Sequence, residues 1–201
     1  MLTALMLIFS PANAWDKIEN AQRSVMAILF QFLVPLMLLS AAVEGFGLVK
    51  LGEERSTLDM VRLEKVPQRL AVRYEATQLG LSLIIMVGGA WALRHISSSF
   101  HRSHTYKECF TTLAYSLSPL FLLRMLDGLP QISTWLCWAI GVLLSIAALY
   151  RGIPRTLRPD PSNALGLYLV ASVVLIIGTA LAHLLAVLVL NEQILRTGLS
   201  F

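Results

Sequence analysis

The sequence predicts an all-α integral membrane protein, a bundle of about five transmembrane helices with a short interfacial N-terminal helix. Three observations carry that reading. Hydrophobic residues make up 56% of the 201-residue chain and charged residues only 14%, against roughly 25% charged in an average soluble domain. The mean hydropathy is +0.69. Lys and Arg fall in the gaps between apolar runs, each run long enough to cross about 30 Å of hydrocarbon. Too few polar side chains remain to cover a water-facing surface, so the whole of 1–201 is expected to form a single transmembrane domain facing lipid.

At the N-terminus, residues 1–9 and the following Ala12-Asn13-Ala14 have the outline of a secretory apolar core with its cleavage site. No Lys or Arg precedes the run, which predicts an uncleaved interfacial segment instead. Ser10 then caps a second short helix with Pro11 at its first position. Trp15, Ile18 and Val25 are expected on its apolar side, with Trp15 at headgroup level.

The first span covers 25–43 without a formal charge and continues to 49, with Gln31 its strongest polar interruption. The connection over 50–74 mixes both charge signs with Met60, Leu63, Val66 and Leu70. Apolar residues at steps of three to four predict an amphipathic surface helix interrupted at Pro67, and mixed charge is the pattern of a solvated face. The second span, 76–93, is less apolar at its start, where Thr77 and Gln78 sit. The third, 109–127, is uncharged from Cys109 to Leu123, then carries Arg124 and Asp127 before Asp127-Gly128-Leu129-Pro130, a strong stop signal. The fourth, 132–150, is uncharged and follows a short break, as in a helical hairpin. The fifth, 164–190, is interrupted only by His183 and must tilt or protrude. With Arg124 set aside, Lys and Arg divide almost evenly between the two sides, so the positive-inside rule leaves orientation open.

Alternating spans bring the C-terminal ends of the first, third and fifth helices to the same side. Glu44, Arg124, Asp127 and His183 occupy those ends. At about 1.5 Å rise per residue, His183 lies roughly 10 Å deeper than Leu190, and Arg124 roughly 6 Å deeper than Gly128. An ionisable group at such depth costs several kcal/mol unless paired or hydrated, which makes the four a candidate intramembrane polar cluster. Two readings stay open. In one, Arg124 pairs with its i,i+3 neighbour Asp127 as structural glue while His183 makes one interhelical hydrogen bond. In the other, the layer is a substrate or proton site.

Pro35 and Pro119 lie inside the first and third spans and predict helix kinks, freeing the carbonyls of Gln31 and Tyr115. Small residues at four-residue spacing, namely Gly88 with Ala92, Ala114 with Ser118, Gly141 with Ser145, and Gly178 with Ala182 and Ala186, predict close helix contacts. His95, His101, His104 and Cys109 hold metal-capable atoms but lack the converging spacing of a zinc site, so no metal or other cofactor is expected. Cys109 and Cys137 fall near opposite membrane faces, which predicts no disulfide. P-loop, G-x-G-x-x-G, H-E-x-x-H and G-x-S-x-G signatures are missing, and no enzyme is expected. Basic residues beside spans fit phospholipid headgroups better than nucleic acid.

Between Tyr106 and Tyr168 the chain carries Tyr106-Lys107-Glu108-Cys109-Phe110, Ala114-Tyr115-Ser116-Leu117-Ser118-Pro119, Leu129-Pro130, and Tyr150-Arg151-Gly152-Ile153-Pro154 with Pro161, Ala164 and Tyr168. These features resemble the Ypt-interacting-protein (YIP) family, five-span proteins whose eukaryotic members interact with Rab-type GTPases in vesicle trafficking. Phe9-Ser10-Pro11 through Trp15 resembles the start of bacterial-type members. The long cytosolic N-terminal region of eukaryotic members, with its Asp-Leu-Tyr-Gly-Pro motif, has no counterpart before Val25. The resemblance therefore implies a prokaryotic-type member in the plasma (inner) membrane, N-terminus cytoplasmic. It implies a non-catalytic protein that organises membrane or partner proteins. A small transporter or channel, lipid-handling and using the polar cluster, is the alternative. The bilayer is the expected partner; a membrane or cytosolic protein partner and a homo-oligomer are left open.

Overall fold

Inside a bilayer each backbone N–H and C=O must be satisfied within its own segment, so long apolar runs become helices. The computed structural model describes residues 2–57, 60–98, 104–129, 131–160 and 162–198. Four helices among the described residues are long and apolar enough to cross a membrane: Val25–Lys50, Gln68–Ser98, Thr134–Thr156 and Ala164–Val189. The fold is an all-α membrane protein, as predicted.

Two short helices open the chain, α1 (Leu2–Phe9) and α2 (Pro11–Ala21). The first span is built from α3 (Val25–Ile28), a π-helical turn at Leu29–Leu33, and α4 (Val34–Lys50). Ser24 caps it by accepting from Ala27 N at 3.2 Å. Pro35 is the second residue of α4. The wider π turn just before it absorbs the missing donor, and the span continues as one helix.

The connection after α4 departs from expectation. In place of an amphipathic surface helix, β1 (Glu53–Thr57) pairs antiparallel with β2 (Met60–Glu64), Arg55 opposite Arg62 and Ser56 opposite Val61. Val61 and Leu63 alternate with Arg62 and Glu64, a period of two that suits a strand. Helix resumes after Pro67 as α5 (Gln68–Ser98), longer at both ends than the apolar run 76–93.

The third apolar segment is two helices, α6 (Tyr106–Ser116) and α7 (Ser118–Arg124), parted at Leu117. Thr105 and Glu108 form a capping box at the start of α6. Pro119 supplies the break, and Ser118 Oγ donates to the freed carbonyl of Tyr115 at 2.7 Å. Together α6 and α7 cross the bundle end to end. Lys107 at one end donates to Gln22 O just before the first span, and Arg124 at the other reaches Glu44 near that span's finish. Helices α8 (Thr134–Thr156) and α9 (Ala164–Gly198) complete the chain. The former runs past Tyr150 and through Pro154.

Helix α5 packs along α9 and α6, and α8 packs along α6, α7 and α9. The shared core includes Leu33, Met86, Leu93, Phe110, Leu149 and Leu167. Phe30, Phe46, Ile84, Leu143 and Leu169 are exposed on the outer surface, where lipid tails make apolar exposure inexpensive. Three of the four small-residue runs lie in seams: a Cβ on Gly141 would sit 2.7 Å from Leu120 Cδ1, one on Gly178 would meet Ile85 Cγ2 at 3.2 Å, and Ala114 and Ser118 are wholly buried. Gly88 differs, since nothing lies within 4 Å of a Cβ built there.

Both N-terminal helices dock onto the bundle, α1 against α6, α7 and α8, and α2 against α8. Trp15 and Ile18 do share the apolar side of α2, while Val25 opens α3 instead. Trp15 is fully buried rather than placed among headgroups. Its ring fills a slot left by Gly152, where a Cβ would collide with the indole. Its Nε1 donates to Ala148 O at 3.1 Å. Tyr115 meets it edge-on at 6.3 Å. Trp15→Phe loses the donor and fills the slot only in part, so stability in detergent is expected to fall by about 1–3 kcal/mol. Trp15→Ala, which empties the slot, is expected to cost about 3–5 kcal/mol.

Candidate functional site

The polar layer is assembled by a backbone contact. Gly128 follows α7 and lies directly on α4: a Cβ at Gly47 would overlap Gly128's carbonyl, and one at Gly128 would lie 3.1 Å from Val43 O and 3.2 Å from the Glu44 Cα. Gly47 is required because the backbones themselves meet, and a side chain at Gly128 would crowd the same contact. This seats the end of α7 beside Glu44.

Arg124, the last residue of α7, then reaches two other helices through one nitrogen. Its Nη2 donates to Glu44 Oε2 at 2.6 Å and to Glu75 Oε2 at 3.0 Å. Glu44 is 1% exposed, Arg124 6% and Glu75 8%. A buried pair retains its charges only with close geometry and further hydrogen bonds. Part of that support comes from α5. Gln78 Nε2 donates to Tyr74 Oη at 2.6 Å, which leaves the Tyr74 proton available to another acceptor.

All four residues singled out in the sequence are buried at this end of the bundle, in three groups. Glu44 and Arg124 form the ion pair. Asp127, one turn beyond Arg124, stands beside Cys137 of α8. His183 belongs to an aromatic box: its ring stacks on Trp138 at 6.1 Å and meets Trp135 edge-on at 4.7 Å. Between the groups lies a cavity of about 30 Å³, lined by Gln78, Arg124, Asp127, Trp138, Thr179 and His183. About two water molecules fit such a volume. Among the described residues Arg124 Nε and Nη1 and His183 Nε2 are buried without a hydrogen-bond partner, polar atoms that water in such a chamber would satisfy.

Glu75 is the member of the polar layer that sequence reading missed. It sits one position before the apolar run 76–93 and passes for a flanking charge. Its signal is helical: Tyr74, Glu75 and Gln78 cluster at i, i+1 and i+4, and all three are buried. The metal-capable residues are dispersed. His95 packs on Trp91 with ring centres 4.2 Å apart, His104 lies 4.0 Å from Glu108, and His101 falls outside the described residues. Among the described residues no group of three or more His, Cys, Asp or Glu is arranged to hold a metal ion. Cys109 and Cys137 are buried free thiols.

A family model described as the Yip1 domain matches residues 5–183. The chain belongs to the Yip1 family. No curated protein matches it, and neither does any solved structure. Within this Yip1 domain the motifs that carried the resemblance serve packing. Tyr115, Ser116 and Ser118 are buried around the α6/α7 break, Tyr115 against Phe32 with ring centres 4.4 Å apart. Gly152 of Tyr150-Arg151-Gly152-Ile153-Pro154 makes the Trp15 slot.

Proposed function

We propose that this Yip1-family membrane protein is a non-catalytic organiser of membrane or partner proteins, held in a prokaryotic plasma membrane with its N-terminus cytoplasmic. The observation that supports this reading is the Arg124 clamp. One guanidinium nitrogen joins α7 to both α4 and α5, and the chamber beside it is small, about 30 Å³. Alternating-access transporters hold a substrate-sized site between units that rock apart. A bundle end tied across three helices is a rigid platform. Both clamp carboxylates are engaged by Arg124.

One observation favours a second reading, a small transporter or channel. Two carboxyl groups, Glu44 and Glu75, meet a single guanidinium, a third, Asp127, lines the chamber beside it, and buried carboxyl clusters of this kind serve proton and ion pathways. Reconstitution into vesicles separates the two. Under the organiser reading, proton, solute and lipid flux stay at the level of empty vesicles, and mild-detergent purification from native membranes recovers a stoichiometric partner. Flux that Arg124→Ala abolishes would establish transport in its place.

A further inference from the structure

At the bundle end opposite the clamp, the starts of the first span and of α6 and the finish of α8 enclose a cavity of about 590 Å³. That size is within the roughly 300–1,000 Å³ of small-ligand sites. Its position is that of the bilayer surface, since Arg23 precedes the Val25 start of the first span and Thr156 ends α8. Six charged residues line it: Arg23, Lys107, Arg155, Arg158, Glu19 and Glu108.

Their partners decide what the cavity accepts. Glu19 is held by Arg158. Glu108 is taken by the capping box, accepting from Thr105 N at 2.9 Å. Arg155 lies 3.2 Å from Asp16, outside the lining, and donates to Ala12 O at 2.9 Å. Among the described residues neither Arg23 nor Lys107 is within ion-pair distance of a carboxylate. Lys107 Nζ gives one hydrogen bond, to Gln22 O at 3.2 Å, out of the three its ammonium can give. Even with Asp16 counted, basic groups outnumber acidic ones. The start of α6 adds the positive end of an 11-residue helix dipole to the same wall.

We propose that this cavity binds a phosphate-bearing headgroup, with Arg23 and Lys107 as its principal cations. Arg and Lys at the bilayer surface attract anionic headgroups, and an arginine fork suits phosphate oxygens. Ile18 and Ile28 in the wall offer an apolar side for a glycerol backbone and the first acyl carbons. The shared chemistry is the phosphate, supplied by a lipid or by free inorganic phosphate. The site is at the far end of the bundle from Arg124 and holds whichever function the clamp serves.

The test uses the full chain in a neutral maltoside detergent. Native mass spectrometry measures occupancy by dioleoylphosphatidylglycerol and by dioleoylglycerol, which lacks the phosphate. Melting in sodium phosphate against sodium chloride of equal ionic strength reads free phosphate. Removing two surface cations is expected to weaken headgroup binding about tenfold or more, so Arg23→Gln with Lys107→Gln loses the phosphatidylglycerol adduct. Arg23→Lys with Lys107→Arg keeps it. Arg69→Gln with Arg73→Gln, which removes the same charge at the other end of the bundle, also keeps it. Circular dichroism and the lipid-free melt verify that each variant is folded, and Lys107→Gln alone repeats the test with one change. Phosphate stabilisation lost in the double Gln variant assigns the site to the free anion, and its absence beside a specific lipid adduct assigns it to the headgroup. Equal occupancy by the two lipids, or an unchanged adduct in the double Gln variant, overturns the proposal.

Discussion

Arg124→Ala is expected to lower the stability of the detergent-solubilised protein by about 3–5 kcal/mol, the range for removing one partner of a buried ion pair. The cost follows from what stays behind. Glu44 and Glu75 are both buried, both lose the Nη2 donor, and neither has water at hand in the quantity a carboxylate needs. Most of that loss is the penalty of unmatched charge, which gives a second expectation. Replacing the set together, Glu44→Leu with Glu75→Leu and Arg124→Met, should restore stability to within about 1–2 kcal/mol of the parent, since exchanging a whole buried pair for hydrophobic groups of similar volume is often neutral. The single and triple variants are compared by thermal melt and by size-exclusion profile in one detergent. An Arg124→Ala protein that melts with the parent would remove the clamp as a structural element.

How much of this was legible in the sequence differs from residue to residue. The apolar runs are plain from hydropathy, because hydrocarbon thickness imposes a minimum length. The shared depth of Glu44, Arg124, Asp127 and His183 followed from alternating directions alone. The partner of Arg124 did not. Sequence spacing offers Asp127 three residues away, whereas the ion pairs run to Glu44 and Glu75 on other helices, and only the meeting of Gly47 with Gly128 brings those helices within reach. Trp15 shows the same limit. An amphipathic face looks alike whether it lies on headgroups or on a bundle, and the decisive feature, the vacancy at Gly152, is 137 residues away. Pro35 and Pro119 carry one signal with two outcomes. The first is absorbed in a π turn; the second parts two helices, where Ser118 satisfies the Tyr115 carbonyl in place of the lost backbone donor.

Gly47→Ala tests whether packing or charge holds the polar layer, and its expected effect is comparable with that of Arg124→Ala. The added methyl overlaps the carbonyl oxygen, Cα and carbonyl carbon of Gly128. Backbone cannot rotate aside as a flexible side chain does, so the turn after α7 must lift from α4. Overpacking of a tight seam costs about 1–3 kcal/mol, and lifting the turn also draws Arg124 away from Glu44, so the total is expected at about 3 kcal/mol or more. Gly88→Ala is the matched control. It is also a glycine within a long helix, with nothing inside 4 Å of the new Cβ, and relief of the glycine helix penalty makes it neutral or stabilising by about 0.5–1 kcal/mol. The two effects at the layer are not independent. If the seam positions the clamp, Gly47→Ala and Arg124→Ala combined cost less than their sum, with a coupling of about 1 kcal/mol or more in a double-mutant cycle. Strict additivity would mean that the ion pair forms without the glycine seam, and that Arg124 alone draws the three helices together.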